Sequence, residues 1–200
     1  MSVPEVPVMC PGGTVAILGG GPSLTQADVD YCRSRADAVI AINTSYLLAK
    51  WAPCLYAADH KWWDWHRGAP DFPGLKYALQ KEASKWPGVQ ILQNTGKTGL
   101  EVRPTGLRTG NNGGYQAINL AVHFGAKRII LLGYDMQSTG GKRHWFGDHP
   151  KKSDGNYETF LQAFPALIEP LKQIGVSVIN CTRVTKLQCF PCQPLEEALP

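Results

Sequence analysis

The eleven residues Thr14–Leu24, TVAILGGGPSL, constrain this chain more than any other stretch. Five residues of strand character, Thr14 to Leu18, run straight into Gly19, Gly20 and Gly21, and Pro22, Ser23 and Leu24 then open a helix-like segment. Glycine has no Cβ, so backbone N–H groups in such a turn can come close to an anionic group. A helix beginning just beyond adds unpaired amides and the positive end of its dipole. Strand, glycine turn and helix in that order read as the first βα unit of a nucleotide-binding sheet, although a tight turn without a ligand carries the same signature. The spacing is not the dinucleotide G-x-G-x-x-G, because Pro22 and Ser23 interrupt it, and no Gly-Lys-Ser/Thr follows as a phosphate loop requires.

The pattern repeats along the chain. Ala38–Ile42, ending in Asn43, Cys54–Ala58, ending in Asp59, Arg128–Leu132, ending in Gly133-Tyr134-Asp135, and Val176–Asn180 are short apolar runs. Lys76–Leu79 and Val89–Leu92 are weaker strands. Between them, helical periodicity covers Gln26–Arg35, Asn112–Phe124 and Tyr157–Ile174, the last with Pro165 and Pro170 placed to kink it. Continuous apolar strands alternating with helices predict an α/β fold, a single Rossmann-like domain whose mainly parallel sheet has helices on both faces. That domain spans residues 13–200, behind a flexible proline-rich arm at 1–12. A hydrophobic content of 44% and a charged content of 18% exclude a disordered chain, and 200 residues suffice for a core without staples. The six cysteines are expected to be thiols, and only Cys189 and Cys192 stand at metal or redox spacing. No apolar run approaches a membrane span and Met1–Cys10 has no leader pattern, so a cytoplasmic location is expected. The net charge of +4 suits an anionic ligand and leaves nucleic acid open as a partner.

Ligands of open α/β sheets bind beyond the carboxyl ends of the strands. Those ends carry the Gly19–Gly21 turn, Asn43, Asp59 and Asp135, whose side chains can bond ribose hydroxyls or base edges, or serve as caps and turn residues. A second glycine-rich segment, Arg108–Gly114, precedes the central helix, with Asn112 as a cap and Gly113 and Gly114 exposing backbone donors. The loop His144-Trp145-Phe146-Gly147-Asp148-His149 offers two imidazoles able to take a proton from an attacking hydroxyl near neutral pH, with Asp148 to hold a tautomer. The same His144, Asp148 and His149 could instead join Asp59 or Asp135 around a metal, or sit on a solvated loop. Lys142, Arg143, Lys151 and Lys152 bracket the loop and could close over a phosphate. Trp62 and Trp65 could stack on an acceptor sugar or base, or bury one helical face in the core.

Through Gly19–Leu24, Asn43, the segment Gly113–Asp135 and the His144–His149 loop, the chain resembles the bacterial sialyltransferases that use a CMP-activated sugar. It also resembles the wider superfamily that includes archaeal-type 6-hydroxymethylpterin pyrophosphokinases and many phage proteins. The likeness covers roughly residues 14–180. It implies that Gly20, Gly21, Asn43 and Gly113 bind nucleotide and that His149 is a general base acting without metal or cofactor. Gly20 stands where the sialyltransferases place Asn, the histidine loop is one residue longer, which keeps His144 as a second candidate base, and Gln137 stands where a tyrosine helps the phosphate leave. The implied function is transfer of a sugar from a nucleotide-activated donor to a glycan or to a hydroxymethylated base in phage DNA. Under that reading a phage-encoded chain works in the host cytoplasm, and a homo-oligomer is compatible with it. Two other functions fit the residues: a diphosphokinase-like enzyme with Mg²⁺ held by Asp59 and Asp135, and a non-catalytic nucleotide binder.

Overall fold

Strands that are apolar on both faces must be covered on both, and the arrangement follows from that demand. A computed structural model describes residues 3–147 and 156–200. The strands in chain order are β1 (Thr14–Leu18), β2 (Ala38–Ile42), β3 (Cys54–Tyr56), β4 (Leu75–Ala78), β5 (Val89–Ile91), β6 (Gln93–Asn94), β7 (Gly106–Leu107), β8 (Arg128–Leu132) and β9 (Ser177–Asn180). Seven of them form one parallel sheet in the order β5-β4-β3-β2-β1-β8-β9, while β6 and β7 make a separate short pair. The chain thus walks outward from β1 to β5, then returns to place β8 on the other side of β1. This reversal is a topological switch point, and it opens a crevice between the carboxyl ends of β1 and β8. The fold is Rossmann-like, as expected.

The helices are α1 (Gln26–Arg33), α2 (His60–Trp65), α3 (Gly113–His123), α4 (Tyr157–Ala163), α5 (Ile168–Gln173) and α6 (Leu195–Ala198). Alternate strand residues feed two cores. Val15, Ile17, Ile40 and Tyr56 pack with Tyr115, Ile118 and Ala121 of α3 and with Phe164 and Leu171. On the opposite face Ala16, Leu18, Val39 and Leu55 pack with Val29 and Cys32 of α1 and with Trp62 and Trp63 of α2. Trp62 and Trp63 are therefore core residues: of the two readings left open for Trp62, core packing holds and acceptor stacking does not. The Trp62 ring is edge-on to Tyr46 and Trp63, stacks on His66 at 4.2 Å and donates its Nε1–H to Thr44, so it has no face for an acceptor. Trp65 packs against the same core and does not border the crevice.

Three local expectations also change. Residues 22–24 belong to a turn: α1 starts at Gln26 because Thr25 and Asp28 form a reciprocal capping box. The long helix of 157–174 is broken into α4, a 3₁₀ turn at Phe164–Leu167 and α5, since Pro165 has no amide to continue the ladder. The proline-rich start is packed rather than loose, with Val6 and Cys10 buried and the Met9 and Cys10 amides bonded to Phe124 O at the end of α3. All six cysteines are free thiols. Among the described residues no helix is long and apolar enough to cross a membrane.

The segment between β6 and α3 is fastened by buried polar groups. Asn119, fully enclosed in α3, accepts from the Glu101 and Arg108 amides and donates to Glu101 O. The Glu101 carboxylate accepts from the Arg103 guanidinium and from the Val102 and Arg103 amides. The Arg103 contact, opposed by burial, holds its pKa down to about 2. A carboxyl depressed in the folded state stabilises above its unfolded pKa, near ~4.3, and loses that contribution as pH falls through the folded value. The gap in urea midpoint between the parent and Glu101→Gln is therefore expected to be full above about pH 5. Equilibrium unfolding at stepped pH should show it closing as the pH approaches about 2.

Candidate functional site

β1 and β8 end level with each other, Leu18 beside Leu132, so the turns that follow them touch. The Gly19 amide donates to Leu132 O at 2.7 Å and the Gly21 amide to Gly133 O at 2.8 Å. A Cβ on Gly19 would lie 2.5 Å from Gly133 O, and one on Gly21 would overlap the Asp135 carboxylate. Gly19 and Gly21 are glycine because two turns occupy this space, and their amides serve the turn contact instead of facing a ligand. Gly20 differs. Its amide has no hydrogen-bond partner among the described residues, and a Cβ there would meet only the side chains of His144, at 3.3 Å, and Phe146.

Asp135 clamps the two turns. It is 1% exposed and accepts from the Ser23 amide (3.0 Å), the Ser23 hydroxyl (2.8 Å) and the Thr139 hydroxyl (3.3 Å). Burial pushes its pKa above the ordinary aspartate value, and the Ser23 and Thr139 donors oppose that rise. Ser23, expected at the nucleotide, thus holds Asp135, and neither Pro22 nor Ser23 borders the crevice.

The crevice encloses about 140 Å³ and runs from the β1 turn to the start of α3. Its walls include Gly19, Gly20, Gly21, Asn43, Asn112, Gly113, Gly114, Asp135, Gln137, Arg143 and His144 from the predicted set, with Ile42, Gly133, Tyr134, Met136, Phe146, Tyr157 and Phe160 in addition. Asn43 takes a left-handed φ of 50°, which Asn tolerates better than most residues, and its carboxamide forms no hydrogen bond with any described residue. Met136, also left-handed at φ 51°, lines the same space. Asn112 spends its side-chain oxygen on the Gly114 and Tyr115 amides as the cap of α3, which leaves the Gly113 amide without a partner among the described residues. The amides open to the crevice from the two glycine-rich segments are therefore those of Gly20 and Gly113. Arg143 lies 5.0 Å above the Tyr157 ring, and His144 stacks on Phe146 at 5.0 Å.

Other predicted residues lie elsewhere. Lys142 is exposed and outside the crevice, its backbone paired with Thr139. Asp59 is exposed before α2, accepts from Gln80 at 3.2 Å and does not border the crevice. It follows β3, whereas Asp135 follows β8, three strand spacings away, or about 14 Å. One cation cannot bridge them, and no group of three His, Cys, Asp or Glu among the described residues could hold a metal ion. Asp148, His149, Lys151 and Lys152 lie outside the described residues. The aromatic wall of Phe146, Tyr157 and Phe160 was missed because no sequence period marks it; it arises only when the start of α4 folds back to the strand ends.

Compared with protein-family models, curated proteins and solved structures, the chain matches none.

The glycine turn yields a graded prediction. Gly21→Ala forces a Cβ into Asp135 and should cost about 1–3 kcal/mol of unfolding free energy. Gly20→Ala should cost less than about 1 kcal/mol, because the His144 side chain can give way. Urea denaturation of the two variants checks the order.

Proposed function

We propose that this crevice binds a nucleotide-activated sugar, CMP-linked as in the sialyltransferases the chain resembles, and passes the sugar to an acceptor hydroxyl with inversion. The observation that carries the reading is convergence: Gly20 and Gly113, whose amides have no partner among the described residues, line one crevice with Asn43 and Arg143 at the switch point of a parallel sheet. The amides and Arg143 suit a phosphoryl group, Asn43 a ribose or base edge, and Phe146, Tyr157 and Phe160 a planar or apolar part. In the reaction, the acceptor oxygen attacks the anomeric carbon opposite the phosphate, and the carbon–oxygen bond to phosphate breaks with its electron pair leaving on CMP. The acceptor proton passes to His149, following the resemblance; His144, beside Gly20, is the other candidate. Donors aimed at the departing phosphate stabilise it electrostatically. The acceptor, a glycan or a hydroxymethylated base in DNA, would approach from the open side of the crevice.

The Mg²⁺ diphosphokinase reading loses its support, because Asp59 and Asp135 stand too far apart to share an ion. A thermal-shift series tests the proposal. CMP at about 100 times its Kd adds about 2.7 kcal/mol, or roughly 5–10 °C for a chain of this size. ATP with Mg²⁺ should give less. Turnover with a CMP-sugar should persist in EDTA and fall about 10²- to 10⁴-fold in His149→Ala, with CMP affinity retained. A fall confined to His144→Ala would move the base to that residue. Absence of a CMP shift sinks the nucleotide assignment, and a shift without transfer to any acceptor leaves a binding protein.

A further inference from the structure

We infer that Trp145 is a positioning residue of the crevice, the pin that sets His144 and Phe146 against the glycine turn. The inference rests on the nucleotide reading for its consequence, but its geometry is independent of it. His144–Gly147 is a turn closed by the Gly147 amide donating to His144 O at 3.2 Å, and it sends its side chains to two sides. His144 and Phe146 both line the crevice, whereas Trp145 between them packs against the core on the far side of the sheet. Two hydrogen bonds hold the tryptophan: its amide donates to Gly20 O at 3.2 Å and its indole Nε1–H to the Ser45 hydroxyl at 3.1 Å. The fully buried Ser45 hydroxyl donates in turn to Gly19 O at 2.6 Å. One hydroxyl therefore links the indole to the backbone of the turn that carries the open Gly20 amide. Trp145 touches Gly20 and Ser45 and does not itself line the crevice, so it acts through its neighbours.

The arrangement makes the position of the two crevice side chains depend on a contact outside the crevice. A purely structural tryptophan would lower the melting temperature without altering affinity at temperatures far below it. A positioning one alters affinity there. Trp145→Phe keeps the ring and removes the indole donor, and Ser45→Ala removes the shared hydroxyl, so both should fold. Hydrogen exchange by mass spectrometry should quicken over residues 137–147 in both variants. CMP affinity at 20 °C should drop by about tenfold, the loss of one buried hydrogen bond. Parental exchange rates in both variants overturn the pin, as does faster exchange with CMP affinity within about twofold of the parent. If the parent itself takes up no CMP, the nucleotide reading fails and exchange alone decides the pin.

Discussion

The contact between the β1 and β8 turns is the constraint on which the site depends. Parallel register brings Leu18 and Leu132 level, and the next residues on each strand have nowhere to go but against each other. Small residues at Gly19, Gly21 and Gly133 let the backbones meet, and the Asp135 carboxylate closes the contact through Ser23. A buried carboxylate is costly unless its lone pairs are met, and here three donors meet them.

That contact divides the three consecutive glycines by role. Two carry the packing and have their amides committed to β8, while the middle one projects its amide toward the crevice. The same division recurs at the second glycine pair. Gly114 is tight against Tyr134 and has its amide taken by Asn112, whereas Gly113 has ordinary clearance and an open amide. Glycine content alone suggests that every amide of both segments is free for a ligand. Geometry reduces them to two without a partner among the described residues, Gly20 and Gly113, one from each side.

The seven strands of the main sheet, their mainly parallel character and the helices on both faces were legible in the sequence because burial on both faces writes a continuous apolar run. Asn43 and Gly113 were legible as crevice residues because one ends a strand and the other opens a helix, and His144 because its imidazole stands in a loop that follows a strand end. Much of the rest depends on partners remote in the chain. Ser23 looked like part of a binding turn until Asp135, 112 residues later, was found to claim it. Trp145 drew no separate notice because its partner Ser45 lies 100 residues away. Asp59 misled for a different reason: a polar residue after an apolar strand marks the correct end of the sheet but not which strands border the switch point.

Charge then bounds what the crevice can hold. Arg143 is the one permanently cationic side chain on the wall among the described residues. Asp135, the acidic one, has its lone pairs occupied by Ser23 and Thr139 and offers little to a metal. Under the proposed function, a triphosphate would bring several charges to the one guanidinium and two amides that the described residues supply. A single phosphoryl group joined to a planar ring matches the donors on one side and the Phe146, Tyr157 and Phe160 wall on the other. Under the proposed function, the balance of charge and aromatic surface, more than the glycine motif, favours a nucleoside monophosphate over its more highly charged relatives.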